Sequence, residues 1–244
     1  MLINLRNALM AGKRTPTAKD YICDLRNFNA AENIGYGQHG TGNTWVDLIS
    51  GEVATVNEDC EWHDKFLRRT VRNSGAGYMA SISEDSYSRG IVRKFMTIEV
   101  VVKATAYGFV YCEQSYNATN QNKWNQHAYI WTQDNKIYLG HYSAVSCQTI
   151  SDPATYCFIQ ETDADGNYTT IAAYRNGVQQ SGAAWTSYFS SNIVVALGGG
   201  GKSNSGQGRA ILGDLYAVRT SSRALTAQEI AANYALDQII LGIP

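Results

Sequence analysis

The stretch that most constrains this chain lies near its end. Ile211-Leu-Gly-Asp-Leu-Tyr-Ala-Val-Arg-Thr220 runs through Ser221-Ser-Arg-Ala-Leu225 into Thr226-Ala-Gln-Glu-Ile230-Ala-Ala-Asn-Tyr234. Successive side chains of an extended chain point to opposite faces. Leu212, Asp214, Tyr216 and Val218 therefore share one side, and Ile211, Gly213, Leu215 and Ala217 the other. Both sides lean apolar, which predicts a strand buried between layers rather than one with a wet face. Thr226 has the character of a helix N-cap, and Glu229 three residues on completes a capping box. Leu225 and Ile230 have the spacing of a hydrophobic staple. This one stretch predicts a central strand, a tight corner and a short helix folded back over the sheets.

Upstream, the strand signals are short and frequent. Phe95 to Lys103 is unbroken, rich in β-branched residues and long enough to cross a sheet. Further strands are expected at 45–48, 65–71, 106–112, 126–132, 136–143, 155–161, 169–175, 192–197 and 210–220. Glycine turns such as Gly35-Tyr-Gly-Gln-His-Gly-Thr-Gly42 and Ser74-Gly-Ala-Gly77 separate them. With 22 Gly, 3 Pro and 17% charged residues in 244, this pattern predicts an antiparallel sandwich rather than alternating β-α units. One domain is expected over residues 23–244. It follows a leader at 1–22, where Leu2, Ile3, Leu5, Ala8 and Leu9 line one side of a short helix before Gly12-Lys-Arg-Thr-Pro16 breaks it.

The closing stretch resembles the end of laminin-G-like, concanavalin-A-like jelly rolls. In those domains a strand reading roughly G-x-I/L-x-x-V-R is followed by A-L-T/S, then E-I and N-Y. The matching residues are Gly213, Leu215, Val218, Arg219, Ala224, Leu225, Thr226, Glu229, Ile230, Asn233 and Tyr234. Phe95 to Val102 resembles the family's early core strand, and Tyr174-Arg-Asn-Gly177 its hairpin. Trp45-Val-Asp-Leu48 with Ser50-Gly51 is similar to its opening motif. The resemblance spans about residues 28–238 and implies an all-β antiparallel β-sandwich (a jelly roll) with a short C-terminal helix. Asn4-Leu-Arg-Asn-Ala-Leu-Met-Ala-Gly-Lys13 resembles leaders of small structural proteins of gut bacteriophages and prophages.

Several chemical motifs dissolve on inspection. Ala196-Leu-Gly-Gly-Gly-Gly201-Lys202-Ser203 nearly spells a phosphate loop. It has alanine where the first glycine belongs, and a strand rather than a helix is expected to follow. Asp163-Ala-Asp165-Gly166-Asn167 has the oxygen alternation of a calcium loop, but calcium needs six or more oxygens, and Asp-Gly-Asn is also what a hairpin turn demands. Glu161, Asp163 and Asp165 invite comparison with paired glycosidase carboxylates, yet position 166 is glycine where the E-x-D-x-x-E pattern wants glutamate. Glu61 and Asp64 around His63 are no better placed. His39, His63, His127 and His141 have no zinc-ligand spacing, and there is no G-x-S-x-G elbow. Cys23, Cys60, Cys112, Cys147 and Cys157 form an odd set with no C-x-x-C. Cys147 and Cys157 could pair across a hairpin, but reduced thiols acting as small apolar fillers are favoured. A catalytic site, a metal site and a cofactor are not expected.

The formal net charge of −1 gives no electrostatic footprint for nucleic acid or an anionic membrane. No apolar run reaches the ~18 residues that span a bilayer, and no secretion signal is visible. What remains is the segment from Tyr107 to Tyr142, rich in aromatic rings and threaded with Asn and Gln. Flat rings stack on sugar faces and amides bond hydroxyls. His127, Tyr129 and Trp131 share one side of a strand, as do Tyr107, Phe109 and Tyr111, so several of these rings belong to the core. Tyr116 and Trp124, with Asn122 and Asn125, flank a polar loop and are the expected glycan contacts. The sequence thus points to a non-catalytic virion component, made in the bacterial cytoplasm and oligomeric. It is expected to hold host cell-surface glycan and to dock other virion proteins through residues 1–22. The alternatives are a glycoside hydrolase or lyase on the same scaffold, and a purely architectural decoration protein.

Overall fold

The computed structural model describes residues 21–26, 43–46, 53–71, 79–82, 95–116, 124–133, 136–139, 146–148, 151–162, 168–181, 186–187, 193–199, 210–221 and 223–244. Within them, strands form two sheets in which every strand pair is antiparallel. The nine-stranded back sheet contains β1 (Tyr21–Arg26), β4 (Cys60–Trp62), β5 (Leu67–Arg69), β7 (Phe95–Ala104), β12 (Ala154–Thr162), β13 (Tyr168–Arg175), β14 (Val178–Gln180), β15 (Thr186–Ser187) and β17 (Gly213–Ser221). The eight-stranded front sheet contains β2 (Thr44–Val46), β3 (Val53–Val56), β6 (Ala80–Ile82), β8 (Gly108–Tyr116), β9 (Trp124–Gln133), β10 (Lys136–Leu139), β11 (Ser146–Gln148) and β16 (Ile193–Leu197). Successive strands lie in different sheets at β1–β2, β3–β4, β5–β6, β6–β7, β7–β8, β11–β12, β15–β16 and β16–β17. This wrapping makes the expected antiparallel sandwich.

The two inner faces interlock in one apolar core. Ile98, Val100 and Val102 of β7, Tyr156 and Phe158 of β12, and Leu215 and Val218 of β17 meet Val110, Tyr111, Ile130, Ile137 and Leu139 of the front sheet. Strand β17 is buried along its whole length, as its two apolar sides require. Its alternation is not the simple one, however. Leu215 pairs with Val102 but Ala217 pairs with Val101, so Tyr216 is an extra residue. Beyond this bulge the faces exchange. Val218 points inward with Leu215, while Tyr216 and Ala217 both point outward, and the expected grouping of Val218 with Tyr216 is corrected. A bulge sets two residues against one and re-aims all that follows.

The helix α1 (Ala227–Leu241) is capped as expected. Glu229 N–H donates to Thr226 Oγ1 at 3.2 Å, and Thr226 N–H donates to the Glu229 carboxylate at 2.9 Å. Arg223 grips the same carboxylate with two bonds of 2.8 Å, which holds its pKa below the usual range. Leu225 and Ile230 close the staple in one cluster with Cys157, Ile159 and Tyr174. The helix lies across the outer face of the back sheet rather than at the rim. Its far end buries Leu241, with Ile243 just beyond, against Val101 and Ala217.

A polar clamp fixes the helix there. Arg219 Nη1 donates to Asp237 Oδ1 at 2.9 Å, and its Nε lies 3.3 Å from Glu99 Oε2. Asn233 donates to that same Glu99 oxygen at 2.8 Å, and the Thr155 hydroxyl donates to Asp237 at 3.0 Å. All five side chains are buried. Arg219 and Asn233 of the sequence motif therefore serve attachment of the helix to the sheet. The hairpin Asn176–Gly177 sits beside it with both residues at positive φ (50° and 76°), as a two-residue turn of the Asn-Gly kind demands.

Candidate functional site

With α1 over the back sheet, the outer face of the front sheet is the larger broad surface left to consider. Its character is set by a second bulge. Phe109 pairs with Trp131 and Tyr111 with Ile130, so Val110 is the extra residue. Val110 and Tyr111 both join the core. Phe109 therefore sits on the opposite face from Tyr111, which corrects the expectation that Tyr107, Phe109 and Tyr111 share a side.

On that outer face the rings contact one another. Trp131 and Tyr138, cross-strand partners on β9 and β10, stack with centroids 5.0 Å apart and planes at 30°. Tyr107 meets Trp131 edge-on at 5.7 Å. Trp131 is 6% exposed, whereas Tyr107 and Tyr138 are partly open. Trp131 is thus the buttress, and the two tyrosines are the faces that a ligand can reach. Offset and edge-on ring pairs are each worth about 0.5–1.5 kcal/mol beyond area burial, so the platform is preorganised. The bend carrying Tyr107 is anchored from below. The buried Thr132 hydroxyl donates to Ala106 C=O at 3.0 Å and accepts from Gly108 N–H at 3.1 Å. A side chain at Gly108 would meet the Ala210 backbone at 2.7 Å.

Of the four residues expected to touch glycan, the ladder brings two together. Tyr116 and Trp124 are directly opposed at the far end of β8 and β9. A further register shift leaves His127 as an extra residue in the ladder, and Asn125 pairs with Ser115, one step along. Asn122 lies outside the described residues. Sequence reasoning missed Tyr138 and assigned Trp131 to a core-bearing side. The available signal was the Trp131–Tyr138 spacing across a tight hairpin.

A second cluster occupies the outer face of the back sheet beyond the helix. Arg68 makes a two-pronged pair with buried Asp214 at 2.6 and 2.9 Å and lies 4.7 Å over the Phe66 ring. Phe66 also stacks on His63 at 4.8 Å and tilts against Tyr216 at 4.9 Å. Burial, and then the negative charge of Asp214, push the Tyr216 phenol up to about 12. The two charged groups, Arg68 and Asp214, are engaged with each other.

Of the acidic residues that suggested hydrolysis, Glu161 lies exposed near the end of β12, and Asp163 and Asp165 lie outside the described residues. Glu99 and Asp237, two other acids, are shut beneath the helix. The Asp163–Asn167 and Gly201–Ser203 segments lie outside the described residues; Thr162 and Tyr168, on either side of the former, are paired. Cys157 is a buried thiol beneath α1 that forms no disulfide. Among the described residues, no group of His, Cys, Asp and Glu is placed to hold a metal ion.

No family model matches the sequence, and no curated protein is detectably similar to it. Solved structures are similar in fold. Trypanosoma rangeli sialidase in complex with 2,3-difluoro-KDN matches with a TM-score of 0.64 at 13% identity, over 98% of this chain and 38% of the sialidase. The same sialidase in complex with sialic acid matches with a TM-score of 0.60, at the same identity and coverage. The binding domain of Paraclostridial Mosquitocidal Protein 1 gives 0.52 at 12% identity, over 89% of this chain and 52% of that domain. The chain thus spans well under half of the sialidase. At such identities the likeness is one of fold alone.

Proposed function

We propose that the chain is a non-catalytic, glycan-binding β-sandwich whose contact surface is the outer face of the front sheet. The observation that carries this is the ring platform of Trp131, Tyr138 and Tyr107; Tyr116 and Trp124 pair at the far end of β8 and β9. Its fold likeness to part of a sialidase solved with sialic acid and to a toxin's binding domain supports recognition as the use of the scaffold. A ring stack on a sheet is shallow, so each site is weak, and affinity comes from many copies acting together. That suits a repeated particle component. The phage setting, the oligomer and the docking role of residues 1–22 rest on the leader's resemblance and form part of the proposal.

The test is a glycan array probed with the full chain on a multivalent support. Tyr138→Ala and Trp124→Ala should each weaken binding of any hit about tenfold, which is 1.4 kcal/mol, with the fold intact. An array that stays blank, with closed rings in solution, would favour the purely architectural role.

A hydrolase or lyase remains the second reading because the sialidases similar in fold are enzymes by their names. It requires turnover that disappears in Glu161→Gln, and hydrolysis of any array hit would replace the binding proposal.

A further inference from the structure

The inner face of the back sheet is built in cross-strand rows. Val100 faces Tyr156, and in the next row Ile98 faces Phe158, which faces Ala173. All five belong to the apolar core. The row after that is Met96, Gln160 and Thr170. Gln160 is 0% exposed and Thr170 1%. Among the described residues, neither amide atom of Gln160 has a hydrogen-bond partner, and nor does the Thr170 hydroxyl.

The backbone goes out of its way to create this row. Ile159 pairs with Ala172 but Gln160 pairs with Thr170, so Ile171 is an extra residue. An unbulged ladder would set Ile171 opposite Gln160 and carry it into the core. Instead the isoleucine stands 49% exposed, and the threonine takes the inner place. Apolar burial alone favours the reverse arrangement, and a bulge is a common device for re-aiming a side chain. Here it aims a hydroxyl at an amide. Directly opposed residues hold their Cβ atoms about 5 Å apart, which leaves room for a molecule between the two polar tips. Across the sandwich, β11 of the front sheet approaches β13.

Buried polar groups without partners are costly, and an internal water makes about three hydrogen bonds to such groups. A donor amide, an acceptor carbonyl and a hydroxyl that does both are the complement of water. We infer that the Gln160–Thr170 row is an internal water site, where ordered water bridges the amide and the hydroxyl beneath β11.

The test combines two measurements on the full chain. Water-to-protein NOE spectra should show long-lived cross-peaks at the Gln160 side-chain amide, and Thr170→Val should remove them. In thermal unfolding, Thr170→Val and Gln160→Met should each lower the midpoint by about 2–4 °C. The double variant should lose less than the sum, because it empties the site of everything that water bonded. Absent cross-peaks in the natural chain, with each single variant raising the midpoint, would overturn the inference. That is the behaviour of dry, unpartnered groups replaced by apolar ones. A direct protein partner on Gln160 in a crystal structure would overturn it equally.

Discussion

Replacing Arg219 by Met tests the clamp under α1. The guanidinium is 1% exposed and lies against two carboxylates, Asp237 at 0% and Glu99 at 1%. Without it, two acids remain under the helix with only Asn233 and Thr155 donating to them in the bonds described above. Breaking a buried ion pair from one side costs about 3–5 kcal/mol, because a charge is left uncompensated. For a chain of this size that is a fall of about 6–20 °C in the unfolding midpoint. Natural chain and variant should be compared by thermal and urea unfolding at pH 7.

A second variant separates this from lost packing. Arg219→Met combined with Glu99→Gln and Asp237→Asn removes all three charges, and should recover most of the stability, since neutral replacements of buried ion pairs are often nearly neutral in energy. If Arg219→Met moves the midpoint by less than about 2 °C, or if the triple variant is no more stable than Arg219→Met alone, the clamp does not hold the helix as argued.

Two further outcomes follow from the helix and its neighbours. Glu229 has a lowered pKa, chiefly through Arg223; its contribution is present above the unfolded carboxyl value of about 4.3 and is lost as pH falls through the folded value. Glu229→Gln should flatten the acid limb of the stability–pH curve, and an unchanged limb would refute this. Gly177→Ala places a side chain at φ +76° whose Cβ would meet the Ala231 Cα at 3.1 Å; it should cost about 1–3 kcal/mol in urea unfolding, whereas a neutral result would mean that the turn and helix yield freely.

Elements whose cause is local were legible in the sequence. Phe95 to Lys103 was expected as a strand and β7 runs Phe95–Ala104. The capping box, the Leu225–Ile230 staple and the Asn176–Gly177 turn stand as expected, because each depends on residues a few positions apart. The strand at Tyr21–Arg26 was not expected. Its pairing with β17 is a contact across the whole chain, and nothing local announces it. Arg219, Glu229 and Asn233 were visible as a pattern but not as a mechanism. Asp237, four residues after Asn233 and so on the same helix side, was the missing signal.

The bulges account for most of what the sequence concealed, and they bear on function more than the strands do. One extra residue is invisible to a period-two pattern, yet it exchanges the faces of everything beyond it. Val110 separates Tyr111 in the core from Phe109 outside. Tyr216 moves Val218 into the core and leaves Ala217 under the helix. Ile171 gives up a core place to Thr170. Without the Val110 bulge, Phe109 and Tyr111 would share a face, and pairing with Trp131 and with Ile130 could not both be kept. The ring platform exists because that bulge lets apolar Val110 and Tyr111 fill the interior while Phe109 stays with Trp131 outside. Deleting Val110 should therefore disrupt the platform even where the sandwich survives.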